Sequence, residues 1–458
     1  MKKLFGTDGI RGVANQYPMT AEMALKIGKA VALIFKKPDE PSKIIIGKDT
    51  RISGDMLEYA VASGCCAMGC DVFLAGTLPT PGIAFLTASA GADAGIVISA
   101  SHNPFYDNGI KIFKNSGYKL SDETEVEIER RVLNEHMENL SKTIQNTGRI
   151  HTMADAGKRY SRFLKKSLPQ QMDFKGIKIV MDCSNGATFR VAPELFADLG
   201  ADVDAIFIHP DGKNINANCG SQHTQTLINA VKEKNADIGL AFDGDGDRLV
   251  AVDEKGDVVS GDRIIAVCAK YLKQIGRLKG NRVVTTVMSN LGLGLALKNM
   301  GIAHALSDVG DRHVVEKMIS KEAVLGGEDS GHVVFLDHHT TGDGILTALK
   351  LVEVMKTQSV SLSTLCRVMK VFPQVLINVE VRDKPMLDTV PEIKDAITSV
   401  EQRLGDEGRV LVRYSGTEPL CRVMVEGPTV DTTDAYCREL AGAIRKSIGR
   451  AEDQKVRR

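Results

Sequence analysis

The chain has 458 residues, 43% of them hydrophobic and 25% charged, an ordinary globular composition at a length that calls for several domains. Its 58 Lys and Arg balance 58 Asp and Glu, so neither a nucleic-acid coat nor a membrane patch is expected, although a local anion site stays open. Nine scattered cysteines with no Cys-x-x-Cys pair support neither a disulfide framework nor a zinc site, and fit reduced thiols in a cytoplasmic protein.

The opening residues reach Gly6 and Asp8 before any apolar signal core could form, and no apolar run approaches a membrane span. Phe5-Gly6-Thr7-Asp8-Gly9-Ile10-Arg11-Gly12 places three glycines around Asp8 and Arg11. That spacing lets backbone approach a ligand, with Arg11 as a phosphate fork, but on this octapeptide alone a plain glycine turn is the favoured reading. A helix is expected from about Thr20 to Phe35, then a strand, Lys43 to Gly47, a helix to about Met68 and a strand, Asp71 to Ala75.

That unit recurs. A strand from Ile177 leads through Ser184 to a helix ending at Leu199-Gly200, then a strand from Val203. A strand from Arg282 leads through Ser289 to a helix ending at Met300-Gly301, then a strand from His304. Three copies of strand, Ser-bearing turn, helix, Gly and strand predict three related α/β domains with largely parallel sheets. From about Phe372 the pattern becomes strand, long helix, two strands, helix, a fourth domain of α+β type. The expected domains are residues 1–150, 151–253, 254–370 and 371–458.

Four stretches carry candidate chemistry. The buried-strand run Ala94 to Ile98 ends in Ser99-Ala100-Ser101-His102-Asn103-Pro104, and Pro104 stops a simple continuation of the strand. The Ser101 hydroxyl is thereby released into a turn beside His102. Asn108-Gly109 is a tight-turn signal, so the chain is expected to double back there and bring Lys111 near Ser101. Taken alone, this turn reads as a capped loop rather than a nucleophile. Asp243-Gly244-Asp245-Gly246-Asp247-Arg248 alternates carboxylates with glycines, giving three hard oxygen ligands suited to Mg²⁺ or Ca²⁺. A calcium EF-hand is rejected, because Arg248 stands where that loop needs Gly and the flanks read as strands. Gly326-Gly327-Glu328-Asp329-Ser330-Gly331-His332 offers donors and acceptors suited to sugar hydroxyls, or is a structural turn. Arg413-Tyr414-Ser415-Gly416-Thr417-Glu418-Pro419, with Arg422, combines hydroxyls, backbone N–H groups and two arginines, the makings of a phosphate cradle without a nucleotide P-loop. Gly292 and Gly294 begin a dinucleotide fingerprint that lacks its third glycine, and NAD or FAD is discounted.

Together these four loops, in this order, resemble the signatures of the α-D-phosphohexomutase superfamily. The closer likeness is to the bacterial phosphoglucosamine mutase family, carried by Phe5 to Gly12, Asn216 to Ser221, Val309-Gly310-Asp311-Arg312 and Arg422 to Gly427. The resemblance implies four domains around a central cleft, each giving one loop, and interconversion of glucosamine 6-phosphate and glucosamine 1-phosphate for UDP-N-acetylglucosamine and peptidoglycan precursor synthesis. It implies a phosphorylated Ser101, one Mg²⁺ held by Ser101, Asp243, Asp245 and Asp247, and a sugar 1,6-bisphosphate as intermediate and activator. Lys111 is implied as general acid or base, His102 as an orienting or charge-stabilising neighbour, and Arg11 and Arg248 as carriers of developing charge. Glu328, Ser330 and His332 would read the sugar, while Arg413, Ser415, Gly416, Thr417 and Arg422 would hold the other phosphate. The phosphosugar is the expected partner, with a homodimer as the family's usual assembly. Two positions depart from the family pattern: Asp329, where Gln is common, and His313, where Tyr is usual. A phosphomannomutase/phosphoglucomutase of the same mechanism, a phosphatase and a non-enzymatic metal- or sugar-binding protein are the competing readings.

Overall fold

A computed structural model describes residues 4–6, 8–37, 42–133, 146–415 and 418–450. Gly416 and Thr417 of the candidate phosphate loop lie outside the described residues, as does part of the expected boundary stretch from Ser141 to Gly157. The chain divides into two units, one of Met1–Met288 with Gly301–Val368, the other of Ser289–Met300 with Met369–Arg458.

The larger unit holds three sheets. The first contains β1 (Phe5–Gly6), β2 (Gly9–Val13), β3 (Lys43–Lys48), β4 (Asp71–Thr77), β5 (Ala94–Ile98), β6 (Asp107–Lys114) and β7 (Ile150–Thr152), in the order β1-β2-β6-β5-β3-β4-β7. The second contains β8 (Lys178–Asp182), β9 (Asp202–Ile206), β10 (Ile238–Phe242), β11 (Leu249–Asp253) and β12 (Val258–Val259), in the order β12-β11-β10-β8-β9. The third contains β13 (Arg282–Thr286), β14 (Ala303–Ser307), β15 (Leu325–Gly327) and β16 (Val333–Phe335), in the order β14-β13-β15-β16.

One motif underlies all three. A first strand pairs parallel with the next (β3 with β4, β8 with β9, β13 with β14) across an intervening helix. After a second helix, a third strand pairs parallel on the other side of the first (β5, β10, β15). The chain then turns and pairs a fourth strand antiparallel (β6, β11, β16). The repeat read from sequence is therefore longer than strand-helix-strand, and each sheet joins a parallel centre to an antiparallel edge. β5 and β10 are buried at every position, which is why they read as unbroken apolar runs. The helices Ala21–Phe35 and Gly54–Ala67 supply Ile27, Val31, Leu57 and Val61 to the core over the first sheet.

This topology places the three candidate loops of the unit at equivalent points. Residues 99–106, 243–248 and 328–332 each join the third strand to the fourth, outside the carboxyl end of a parallel strand, where open α/β sheets bind ligands. The doubling back expected after Ser101 is found, but its turn lies in residues 99–106. Asn108 and Gly109 are inside β6, opposite Gly12 and Arg11 of β2. A lone Asn-Gly signal lost to strand pairing with β2.

The smaller unit contains an antiparallel sheet of β17 (Gln374–Glu380), β18 (Arg409–Tyr414) and β19 (Leu420–Glu426), in the order β17-β19-β18. The helices Pro391–Leu404 and Val430–Ile448 share its core through Ile393, Val400, Leu440 and Ile444. The helix Leu291–Asn299 belongs to this unit: Asn290 exchanges hydrogen bonds of 2.9 and 3.1 Å with the Phe372 backbone.

The N-terminal strands are anchored by one carboxylate. Buried Glu129 accepts from the backbone N–H of Leu4 at 2.8 Å and of Phe5 at 3.4 Å. Glu129→Ala leaves both buried donors unpaired, at about 1–3 kcal/mol. The expected result is faster amide hydrogen exchange at Leu4 and Phe5, with little change in the third sheet.

Candidate active site

Ser101 lies at the start of the loop after β5, in a left-handed conformation with φ +54°. A serine adopts this at a cost, so the surrounding contacts must hold it there. Arg51, fully buried, does much of that: its guanidinium donates to the carbonyls of Ser101 (2.9 Å), Asn103 (2.8 Å) and Asp107 (3.0 Å), and to that of Pro104. Asp49 accepts from Arg51 Nε at 2.8 Å and from the Ser99 hydroxyl at 2.6 Å, and Ser99 Oγ in turn accepts from the Ser101 N–H at 2.9 Å. From the second sheet's domain, Asn216 Nδ2 donates to the same carbonyls of Ser101 and Asn103, at 2.9 and 3.0 Å.

The Ser101 hydroxyl donates to Asp243 Oδ2 at 2.5 Å. Asp243, Asp245 and Asp247 are buried, and each offers an oxygen within 4.8 Å of the others. The Asp245 and Asp247 Oδ1 atoms are buried with no hydrogen-bond partner. Orphaned anionic oxygens in a dry loop are costly unless a cation takes them, and an all-oxygen set suits a hard divalent ion. The donor set therefore fits a divalent metal. The loop is gripped from three sides: Thr80 N–H donates to Asp245 O (2.9 Å), Ala187 N–H to Gly244 O (2.8 Å) and Gly344 N–H to Gly246 O (3.0 Å).

Burial, then Asp247 and Asp245, push the Asp243 carboxyl well above the usual carboxylate range. Burial works the same way on Asp247, but Lys111, then His332 and Arg248, hold it well below that range. Lys111 Nζ lies 2.8 Å from Asp245, 2.9 Å from Asp8 and 3.5 Å from Asp247. Burial disfavours its charge, yet Asp245, Asp8 and Asp247 outweigh burial and raise its pKa well above the ordinary lysine value. Lys111 is thus an ammonium, poised as an acid rather than a base. Burial, then Arg248 and Arg11, bring His102 down to about 4, so its imidazole is neutral at pH 7. It orients rather than carries charge: its Nδ1 lies 3.1 Å from Arg248 Nη1 and 3.5 Å from Ser101 Oγ.

A cavity of about 400 Å³ opens on these groups, lined by Asp8, Arg11, His102, Arg248, Asp311 and Glu328 among others. Arg11 pairs with Asp8. Glu328 accepts from Gly310 N–H at 3.1 Å and lies 3.4 Å from the Ser330 hydroxyl, so Ser330 backs Glu328. His332 is buried, with Nδ1 3.7 Å from Asp247 and Nε2 3.7 Å from Asp311. Lys119 pairs with both Asp8 and Asp311. A chain of ion pairs thus runs from Lys111 through Asp8 and Lys119 to Asp311, and His332, whose Nε2 accepts from Gly342 N–H at 3.1 Å, lies between Asp311 and Asp247. Asp8, Lys119, Asp311, Arg51 and Asn216 carried no role in the sequence reading, although Asp8 and Asp311 sit in glycine-flanked motifs that it singled out.

Asp329 and His313 lie elsewhere. Asp329 is exposed and faces the helix Gly261–Gln274: its carbonyl accepts from Gly261 N–H at 3.0 Å, and its Oδ1 lies 3.4 Å from Asp262 N. His313 is half-exposed beside Glu316.

In the smaller unit, Arg413 of β18 and Arg422 of β19 are direct cross-strand partners. Like charges so placed are unfavourable without an anion, and burial, then Arg422, lower the Arg413 pKa. Ser415 is buried at the end of β18, its hydroxyl 3.3 Å from the Glu418 N–H, and Arg422 reaches Glu418 at 3.3 Å.

Models of the phosphoglucomutase/phosphomannomutase α/β/α domains I, II and III match residues 2–139, 158–256 and 260–372, and the model of the family's C-terminal domain matches 376–443. The chain belongs to this family. Among its relatives, the phosphoglucosamine mutase of Syntrophus aciditrophicus is 56% identical over 98% of this chain and 100% of its own length. That of Geobacter sp. strain M21 is 52% identical over 98% and 99%. Among solved structures, a phosphoglucomutase/phosphomannomutase family protein from Burkholderia thailandensis has the same fold, with TM-score 0.79 at 23% identity over 96% of this chain and 97% of that one. N-acetylphosphoglucosamine mutase from Aspergillus fumigatus, in complex with GlcNAc-6P and magnesium, follows at TM-score 0.64 and 18% identity over 97% and 96%. No helix among the described residues is long and apolar enough to cross a membrane.

The serine loop and the carboxylate loop pack closely on each other at Gly244. A Cβ on Gly244 would stand 2.6 Å from Ser101 O and 2.8 Å from Asn216 Nδ2. Gly244→Ala must therefore part the serine loop from the carboxylates. Misplacement of about 1 Å can cost about 10²-fold, so the variant is expected to lose turnover on that order while keeping its thermal midpoint within a few degrees.

Proposed function

We propose that this chain is a phosphoglucosamine mutase, interconverting glucosamine 6-phosphate and glucosamine 1-phosphate through phosphorylated Ser101 and a sugar 1,6-bisphosphate. The observation that carries the reading is Ser101 Oγ at 2.5 Å from Asp243, inside a buried set of three carboxylates with two orphaned oxygens. A phosphoryl group on Ser101 would bring roughly −1.5 to −2 charges to that set. Asp243, Asp245 and Asp247, with phosphorylated Ser101, would hold Mg²⁺, which would offset that repulsion and polarise the transferring group.

The remaining roles fall to the chain's own residues. Arg248, held by His102, and Arg11, held by Asp8, line the cavity and meet charge that develops on the phosphoryl oxygens. Lys111 supplies a proton to the oxygen that leaves phosphorus, and Asp8 and Asp245 keep it charged between turnovers. In the first half-reaction Lys111 gives its proton to Ser101 Oγ as the phosphoryl group passes to the sugar hydroxyl, and the proton that this hydroxyl loses restores Lys111. In the second, with the bisphosphate reoriented, Lys111 protonates the sugar oxygen as the other phosphoryl group passes to Ser101, whose hydroxyl proton restores Lys111. Glu328, backed by Ser330, reads the sugar hydroxyls, and His332 fixes Asp247. Arg413, Ser415, Gly416, Thr417 and Arg422 hold the phosphate that is not reacting; the opposed arginines support this, since their repulsion is relieved by an anion. One grip then serves both half-reactions. A cytoplasmic homodimer, supplying amino-sugar 1-phosphate to cell-wall precursor synthesis, completes the reading.

In a coupled assay with Mg²⁺ and a trace of glucose 1,6-bisphosphate, the wild type is expected to prefer glucosamine 6-phosphate to glucose 6-phosphate, and Ser101→Ala to be inactive on both. Turnover without Ser101 would sink the phosphoserine mechanism. Equal or better use of glucose or mannose 6-phosphate would move the protein to the phosphomannomutase/phosphoglucomutase reading. Asp329→Gln is expected to leave the amino-sugar preference unchanged, because that carboxylate faces a helix end outside the cavity lining; a tenfold fall in the ratio of kcat/KM values would give Asp329 a direct part in selection.

A further inference from the structure

A second, larger cavity, of about 870 Å³, lies between the first and second domains of the larger unit, and none of its lining residues lines the cavity at Ser101. Its floor is apolar, with Leu78, Met153, Phe189 and Leu195. Its rim carries four cations, Lys158, Arg162, Lys165 and Arg190, against two carboxylates, Glu194 and Asp198. Asp198 is already taken by Lys165 at 3.1 Å. Lys158, Arg162 and Arg190 form no ion pair among the described residues, and the Arg190 guanidinium is held 4.9 Å from the Phe189 ring centroid. In a chain of zero net charge, the helix Ala156–Lys166 holds five basic residues and no acidic one, and it presents Lys158 and Arg162 one turn apart to this cavity.

We propose that this cavity is a second anion site, for a phosphate ester that carries an aromatic or apolar group. The unpaired cations supply the phosphate contacts, and Phe189 with the apolar floor takes the organic part, in a volume typical of small-molecule sites. The site is coupled to the metal loop through hydrogen bonds from its lining and from a residue close to it. Ala187, a lining residue, donates its N–H to Gly244 O at 2.8 Å. Thr80, two residues after the lining Leu78, donates its N–H to Asp245 O at 2.9 Å and its hydroxyl to Asp245 Oδ2 at 2.5 Å. Gly246 packs so closely on this wall that a Cβ there would meet Thr188 Cγ2 at 2.6 Å. A ligand seated behind Ala187 and Leu78 therefore bears on the backbone that sets the three carboxylates.

The test is a fluorescence titration of the full-length protein with N-methylanthraniloyl-ATP in EDTA, with glucose 1-phosphate saturating in every sample to occupy the site at Ser101. Saturable binding is expected in the wild type and in the Arg413→Ala/Arg422→Ala variant, and at least tenfold weaker binding in Arg162→Glu/Arg190→Glu. Saturable binding that persists unchanged in Arg162→Glu/Arg190→Glu, or no saturation in the wild type up to millimolar probe, overturns the site. The Arg162→Glu/Arg190→Glu variant is expected to melt at the wild-type temperature, and Arg162→Gln/Arg190→Gln serves in its place if it does not. The coupling rests on the mutase reading and is read separately, in the mutase assay with ATP and excess Mg²⁺. ATP is expected to change kcat at saturating phosphosugar in the wild type and not in the Arg162/Arg190 variant. A change in apparent KM alone, common to both proteins, would mean that ATP acts at Ser101's own cavity.

Discussion

The larger unit is organised around a concentration of buried negative charge. Asp243, Asp245 and Asp247 sit on one six-residue loop, with Asp8 and Asp311 just beyond, and all but Asp8 and Asp311 are almost wholly shielded from water. Carboxylates in such a place must be paired or must neutralise. The protein does both: Lys111, Lys119 and Arg248 supply opposite charge, and Asp243 is pushed toward its protonated form. Two of the carboxylate oxygens still have no hydrogen-bond partner. The negative charge left over, on a compact set of buried oxygens, suits a divalent cation.

The architecture that supports this is a triplicated sheet motif with the same loop specialised three ways. Since residues 99–106, 243–248 and 328–332 occupy equivalent positions, three copies of one topology deliver the loop of Ser101, the loop of three carboxylates and the loop of Glu328. Small contacts set the fine geometry. Leu249 N–H donates to Gly331 O at 3.0 Å, joining the metal and sugar loops. Arg51 and Asn216, from different domains, hold the same two carbonyls beside Ser101. The left-handed serine is therefore a property of the assembled unit, since no single loop supplies the contacts that hold it.

What was legible in the sequence follows from how each signal is encoded. The strand-helix-Gly-strand repeats were visible because buried parallel strands are continuous apolar runs and their helices end in glycine. The metal loop was visible because three carboxylates alternating with glycine have few structural uses. Ser101, Lys111, His102, Arg11, Arg248 and Glu328 all lie on or next to local motifs, and the structure brings them to one cavity or its wall.

The sequence by itself determined the α/β class, the number of repeats, the residue types of the site and, through the family's four loops, the kind of reaction. Tertiary structure alone decided the protonation of those residues and the company they keep. That Lys111 is an ammonium and His102 a neutral imidazole depends on charges more than a hundred residues away, brought within a few ångströms by sheet packing. The strand pairing that buries Asn108 and Gly109, the turn of Asp329 toward a helix end, and the buried Arg51 that grips four carbonyls are equally non-local. Composition and spacing record which groups a site contains, but electric fields and hydrogen-bond geometry exist only between atoms whose positions folding has set.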